Sequence, residues 1–353
     1  MSGQPAKPTA TATEKFAKDF YSRQVALREL GQTGQDKLAA AKVAVVGVGG
    51  LGTVSSLYLA LAGVGYLRLI DMDVVETKNL HRQILYTPED VNYPKAEMAA
   101  KRLQQLNPLI KVEAFPENVN TGNVERLLSG VDLVVDGLDN MATRFLVNRV
   151  CVKKNIPYVF GAAIGMEGNL SVFVPSETPC LECVMPNLSD NDLLKCNTRG
   201  VIGATPGIIG AMQAFEAIKV LAGVGTPLKG KLMICDFTDM YFTTIDIVKR
   251  AKCPACQGTL PRALKMKLVW LCGQDTANIN PEAPLNLDLV QVSEQVQQRG
   301  LPVRVKSSLA LMFEYKGMEV SVFRDGRMLV KNVPNEQAAL AVHRELLQIL
   351  KLS

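Results

Sequence analysis

Two Cys-x-x-Cys pairs, Cys180-Leu181-Glu182-Cys183 and Cys253-Pro254-Ala255-Cys256, are the most specific chemical signal in the chain. Four thiolates in two such knuckles match a closed tetrahedral Zn²⁺ site, which stiffens a fold and offers substrate no open position. A redox dithiol competes for either pair alone, but two pairs favour the metal. A second cluster is built for phosphate. In Gly47-Val48-Gly49-Gly50-Leu51-Gly52, glycines after a predicted strand let the backbone approach a pyrophosphate, and the helix after them turns its N-terminus toward the negative charge. Asp71 ends the next predicted strand, where a carboxylate accepts hydrogen bonds from a ribose.

These glycines alone are compatible with NAD or FAD, and an oxidoreductase is one reading of the chain. The residues downstream point elsewhere. Asn79-Leu80-His81-Arg82-Gln83 and Lys95 put cations near a phosphate site, which suits a reaction that develops charge on transferring phosphates. Asp139-Asn140, after another predicted strand, offers hard oxygen ligands to Mg²⁺. Cys196 lies outside both knuckles, in a long stretch of little periodicity between Pro175 and Gly203. Its neighbours Lys195 and Arg199 favour the reactive thiolate. Cys151, Cys235 and Cys272 fall on predicted helices or strands and read as core, and His343 reads as a surface residue on the last helix.

The elements that must hold these residues alternate. KVAVVG, YLRLID, KVEAF, DLVVD and IPYVFG are short apolar runs separated by helical patterns, which predicts a mostly parallel sheet covered on both faces. The helix PKAEMAAKRLQQLNP stops at Asn107-Pro108, and Pro206 opens another. The expected fold is therefore α/β and Rossmann-like over residues 21–260. A small α+β unit comes next over 265–353, and residues 1–20 form a disordered tail. The chain has 353 residues, a net charge of +5 and eight cysteines. That charge is too mild to argue for nucleic acid. No long uninterrupted apolar run predicts a membrane span, and the N-terminus lacks the apolar region of a secretory signal. A cytoplasmic location, with reduced thiols, is expected.

Together the residues resemble the family of ubiquitin-like-protein activating enzymes, which includes the bacterial adenylyltransferases MoeB and ThiF. The resemblance runs from Tyr21 to about Gly258, through YSRQVALRELGQTGQDKL, GVGGLG, LIDMD, NLHRQ, PK, GLDN and GAAIGMEG in the family's order. It implies an ATP-dependent adenylation domain, in which the C-terminal glycine carboxylate of a ubiquitin-like or sulfur-carrier partner ending in Gly-Gly attacks the α-phosphate. It implies that Asp71 holds the ribose and Gly49 the phosphate turn. Asn79, Arg82 and Lys95 would contact the triphosphate, and Asp139 would position Mg²⁺. Arg23 lies in a segment that reaches the neighbouring subunit's site in the family's dimers, so a homodimer is implied. In relatives that form a thioester or persulfide, a cysteine at the position of Cys196 carries the acyl group or sulfur.

Two outcomes of adenylation stay open: a thioester passed to a downstream conjugating enzyme, or sulfur-carrier activation for molybdopterin, thiamine or tRNA thiolation. Some family members end in a rhodanese domain with a cysteine in its active loop. Here only Cys272, on a predicted strand, comes after Cys256, so that chemistry is not expected. The departure from the family pattern is small: Asn92-Tyr93 precedes Pro94-Lys95 where a glycine is common.

Overall fold

The computed structural model describes residues 10–186, 188, 200–258, 268–271, 276–281 and 285–350. Its larger sheet has eight strands in the order β3-β2-β1-β4-β5-β6-β7-β8. They are β1 (Lys42–Val46), β2 (Tyr66–Ile70), β3 (Lys111–Phe115), β4 (Leu133–Asp136), β5 (Tyr158–Ile164), β6 (Glu167–Phe173), β7 (Lys231–Asp236) and β8 (Tyr241–Asp246). The first five are parallel, and β6, β7 and β8 continue the sheet antiparallel.

Residue alternation explains why helices are needed on both faces. Val43, Val45, Leu67, Leu69, Leu133 and Val135 enter one buried cluster, while Ala44, Val46, Ile70 and Val134 enter another on the opposite face. Helices α4 (Gly50–Ala62) and α5 (Lys95–Leu106) cover the first face. Helices α6 (Val124–Leu127) and α7 (Met141–Lys154) cover the second. Helix α9 (Ala204–Ala222) joins the first face, and Gly210 lets it approach α4, since a Cβ there would lie 2.6 Å from the Leu51 carbonyl oxygen. The expected Pro206 start is shifted slightly, because the helix begins at Ala204.

N-terminal to the sheet lie α1 (Ala10–Phe20), α2 (Ser22–Val25) and α3 (Gly31–Ala40), and the short α8 (Leu181–Val184) carries the first cysteine knuckle. Helix α1 occupies residues 10–20, the described part of the segment expected to be a disordered tail. Phe16 and Phe20, one helical turn apart, stack at 5.4 Å, and Phe20 meets Tyr21 edge-on at 5.1 Å, giving this lysine-rich segment an apolar seam.

The second sheet is six-stranded and antiparallel, ordered β11-β12-β13-β14-β10-β9. Its strands are β9 (Leu268–Leu271), β10 (Thr276–Ile279), β11 (Val303–Lys306), β12 (Ala310–Tyr315), β13 (Met318–Phe323) and β14 (Met328–Lys331). Helices α10 (Leu289–Gln298) and α11 (Glu336–Ile349) cover one face. Ala339, Val342, His343 and Leu346 recur at helical spacing on the buried stripe of α11. His343 is accordingly 4% exposed, which corrects its expected surface position.

Candidate active site

The C-terminal ends of β1, β2 and β4 meet at one edge of the large sheet, and the sequence turns sharply there. Gly47 comes directly after β1 at φ +87, and a Cβ on it would lie 2.5 Å from the Gly137 carbonyl oxygen. Gly52 is still tighter, because its Cβ would fall 1.9 Å from the Gly47 carbonyl oxygen. Only glycine allows the two turns and α4 to pack this closely. Gly49 caps α4 without any side-chain hydrogen bond. The first N–H groups of the helix are thus left to a ligand, and the helix dipole makes an anion the favoured one.

Asp71 lies just past β2 and grips this loop. Its carboxylate accepts from the Val48 N–H at 2.8 Å and from the Asp73 N–H at 2.8 Å. Burial pushes its pKa up to about 6, against the opposing pull of Lys95. Lys95 begins α5 and reaches Asp73 at 2.8 Å. Burial disfavours the charged ammonium, but the Asp73 and Asp71 carboxylates outweigh it and hold its pKa raised. Burial likewise opposes the ionised Asp73, and Lys95 reverses the balance so that its pKa is lowered. The Tyr86 hydroxyl ties the parts together by donating to the Val48 carbonyl at 2.8 Å and lying 3.2 Å from that of Lys95.

Arg82 comes from the segment between β2 and α5. Its Nη2 donates to the Asn79 side-chain oxygen at 3.1 Å, and its Nη1 to the Lys78 carbonyl at 3.0 Å. Burial lowers its pKa, while Asp139 and Glu76 act in the other direction. Asp139 is exposed beyond β4, and its charge is felt at both Arg82 and Lys95. Gly49, Asp71, Asn79, Arg82, Lys95 and Asp139 are therefore one neighbourhood. Gln83, named in the Asn79–Gln83 cluster but given no role there, belongs to it too. A Cβ on Gly49 would lie 3.7 Å from its Nε2, and its Oε1 is buried with no hydrogen-bond partner among the described residues.

Asn140 borders this group, its Nδ2 donating to Asp139 Oδ1 at 3.3 Å. The Asn140 side chain accepts from the Thr143 N–H at 2.9 Å, so its oxygen is engaged as the N-cap of α7. Arg23 is exposed on α2. Cys196 and Cys272 lie outside the described residues. Cys151 and Cys235 are buried, as expected of core thiols.

A buried scaffold missed at the sequence level holds the Asp139 turn. Asp136 accepts from the Leu138 N–H at 2.8 Å, from Arg144 Nε at 3.0 Å and from the Tyr158 hydroxyl at 2.6 Å. Arg144 Nη2 donates to the carbonyls of Leu138, at 2.5 Å, and Gly161, at 2.9 Å. Nothing in the local pattern separates this arginine from a solvated one. Its role depends on β5, which closes the site in three dimensions.

The four knuckle cysteines converge away from the glycine loop. Their sulfur atoms are separated by 3.8 Å (Cys180–Cys183), 3.6 Å (Cys180–Cys253), 3.6 Å (Cys183–Cys256) and 3.5 Å (Cys180–Cys256). A tetrahedron with Zn–S bonds of about 2.3 Å has edges of about 3.8 Å, so the donor set fits a metal of that size. All four donors lie within 4.8 Å of one another. Glu182, inside the first knuckle, receives Arg149 of α7 through two bonds of 2.5 and 2.9 Å, which anchor the knuckle to the sheet domain.

Comparison with known proteins agrees with this architecture. The ThiF family matches residues 21–256. A sulfur carrier protein adenylyltransferase of Thermus thermophilus is 43% identical over 67% of this chain and 90% of its own. The SAMP-activating enzyme E1 of Haloferax volcanii is 42% identical over 67% of this chain and 88% of its own. Among solved structures, Escherichia coli MccB with MccA-N7isoASN superposes with a TM-score of 0.61 at 26% identity, covering 68% of this chain and 74% of that one. MccB with ATP gives 0.60 at 25% identity, covering 72% and 83%. No described helix is long and apolar enough to cross a membrane. With a matching family over two thirds of its length and the corresponding fold, this chain belongs to the ThiF family and is an E1-like adenylyltransferase.

Proposed function

We propose that the chain binds ATP-Mg²⁺ at the glycine loop and adenylates the C-terminal glycine carboxylate of a ubiquitin-like or sulfur-carrier protein. The convergence of Arg82, Lys95 and Asp139 on the uncapped N-terminus of α4 carries this reading. Sulfur-carrier and SAMP activation in the names of the relatives, and ATP in a structural neighbour, support it. Asp71 would receive the ribose and Gly49 the phosphate turn. Asn79, Arg82 and Lys95 would face the triphosphate, and Asp139 would hold Mg²⁺, which shields charge on the leaving pyrophosphate. A carboxylate oxygen of the partner attacks the α-phosphorus, and the bond to the β-phosphate oxygen breaks. The cations offset charge on the departing pyrophosphate, and no protein nucleophile takes part in this step.

Cys196 is the residue proposed for the second step: its thiolate would attack the acyl carbon and expel AMP, leaving a thioester. A conjugating enzyme or a sulfur donor would then draw on the activated glycine. The Cys180–Cys183–Cys253–Cys256 set would hold a structural Zn²⁺. A homodimer is supported by an apolar surface on the edge strand β8 and on α9. Tyr241, Phe242 and Ile245 stand exposed on β8, and Ile208 and Phe215 on α9. The proposed location is cytoplasmic.

The test is exchange of labelled pyrophosphate into ATP in the presence of a ubiquitin-fold protein ending in Gly-Gly. Exchange that requires the free glycine carboxylate is expected, and Cys196→Ala should retain exchange while losing a thiol-sensitive adduct. Binding of a nicotinamide or flavin dinucleotide without exchange would instead favour the oxidoreductase reading.

A further inference from the structure

The ThiF match ends at residue 256, yet the second sheet turns its helix-free face to the nucleotide edge of the first. Among the described residues, apolar, ionic and hydrogen-bonded contacts join them. Val74, three residues after Asp71, is buried among Ala310, Phe323 and Leu329 of β12, β13 and β14. Lys331 at the end of β14 pairs with Glu76 at 3.3 Å. Ser308 donates through its hydroxyl to Glu97, in the first turn of α5 just after Lys95, at 2.8 Å.

Arg327 binds these contacts together. It is 1% exposed and lies 3.5 Å from the Phe323 ring centroid. Its Nη1 donates to the Asn278 side-chain oxygen at 2.8 Å, inside its own sheet. Its Nη2 crosses to the Pro116 carbonyl at 3.1 Å, immediately after β3. The preceding residue, Phe115, accepts the backbone N–H of Asp71 at 3.1 Å. The guanidinium therefore grips the strand end on which Asp71 hangs. Asp73 and Asp71 are among the carboxylates that favour its charge. Burying an arginine whose Nε has no partner among the described residues is costly. A mere appendage would have no use for a buried charge at this seam, whereas a brace across two domains would.

We infer that the C-terminal unit is a built-in brace for the ribose side of the nucleotide site, with Arg327 as its positioning residue and Lys331 as a second tie. It fixes the Asp71–Glu76 loop and the start of α5, so that Asp71 and Lys95 meet the nucleotide already in place. The inference rests on the adenylation reading for its kinetic readout, and equilibrium binding of MgATP provides a readout that does not depend on the partner protein.

The experiment measures MgATP binding and pyrophosphate exchange for the full chain carrying Arg327→Met, Arg327→Lys, Lys331→Met or Lys331→Arg. Loss of preorganisation should weaken MgATP binding and raise KM for ATP about tenfold in R327M and about threefold in K331M. The value of kcat and KM for the partner should hold within about twofold, and the lysine and arginine replacements should each recover part of the loss. Unchanged ATP affinity in folded R327M and K331M would overturn the brace, as would a loss falling equally on both substrates. If R327M does not fold, the K331M and K331R pair decides by the same criteria. Absence of exchange in the wild type, with MgATP binding still sensitive to Arg327, would count against adenylation and leave the brace standing.

Discussion

Two aspartate–cation pairs sit at strand ends on either side of β1, and the protein treats them differently. At the end of β4, Asp136 is fully buried and its carboxylate is taken up by Arg144, Tyr158 and the Leu138 N–H. After β2, Lys95 is 6% exposed but the Asp73 side chain it meets is 39% exposed. Nearby are an uncapped helix terminus and the Gln83 oxygen, which has no partner among the described residues. A closed network of charges fixes a turn, while an open one leaves capacity for a ligand. Buried charge alone does not distinguish the two; unspent hydrogen-bonding capacity does.

The difference can be broken first at its closed extreme. The cysteine cluster is closed by whatever metal holds it, so verified removal of Zn²⁺ by a chelator should lower the melting temperature by well over about 10 °C. An unchanged melting curve would remove the structural role. Next in size is the Asp136 pair. Arg144→Ala strands a buried carboxylate and should cost about 3–5 kcal/mol in urea denaturation, with fold and activity lost together. The open pair should show the reverse pattern. Lys95→Ala is expected to lower pyrophosphate exchange about 10²- to 10³-fold while losing much less stability than Arg144→Ala, because water reaches Asp73. Similar stability losses in the two variants would erase the contrast.

Acidity provides a finer test. Burial raises the Asp71 pKa to about 6, above its unfolded value. Asp71 therefore contributes stability that is present at low pH and lost as pH rises through about 6. Asp73, held low by Lys95, has the opposite sign: its contribution is present above the unfolded pKa and fades on acidification. ATP binding that uses the Asp71 carboxylate should weaken as pH falls through about 6, and Asp71→Asn should flatten that dependence. A KM for ATP with no inflection there would exclude Asp71 as the acceptor. The smallest effect is expected from Asn140→Ala, which removes an N-cap and should cost about 1 kcal/mol with little change in exchange.

Much of the site was legible because it is local. Glycines that must turn, Asp71 ending a strand and two cysteine knuckles are short-range patterns with direct physical meaning. Arg144, Tyr158 and Gln83 were not legible, because their roles arise only when β4, β5 and the β2–α5 segment meet in space. Asn140 was read with Asp139 as a source of hard oxygen, and the structure adds that its oxygen also caps α7. His343 read as surface because one polar side chain says little, although its neighbours Ala339, Val342 and Leu346 define a buried stripe. Arg327 was invisible for the strongest reason: its partners are Asn278 in the second sheet and Pro116 just past β3 of the first.

Pyrophosphate exchange under matched conditions tests the central claim most directly. A folded, zinc-loaded chain should exchange label into ATP with a Gly-Gly-ended ubiquitin-fold protein and not with the same protein amidated at its C-terminus. Lys95→Ala should bring that signal close to background. Exchange that ignores the carboxylate, or that survives Lys95→Ala undiminished, would contradict an adenylating site at this strand edge.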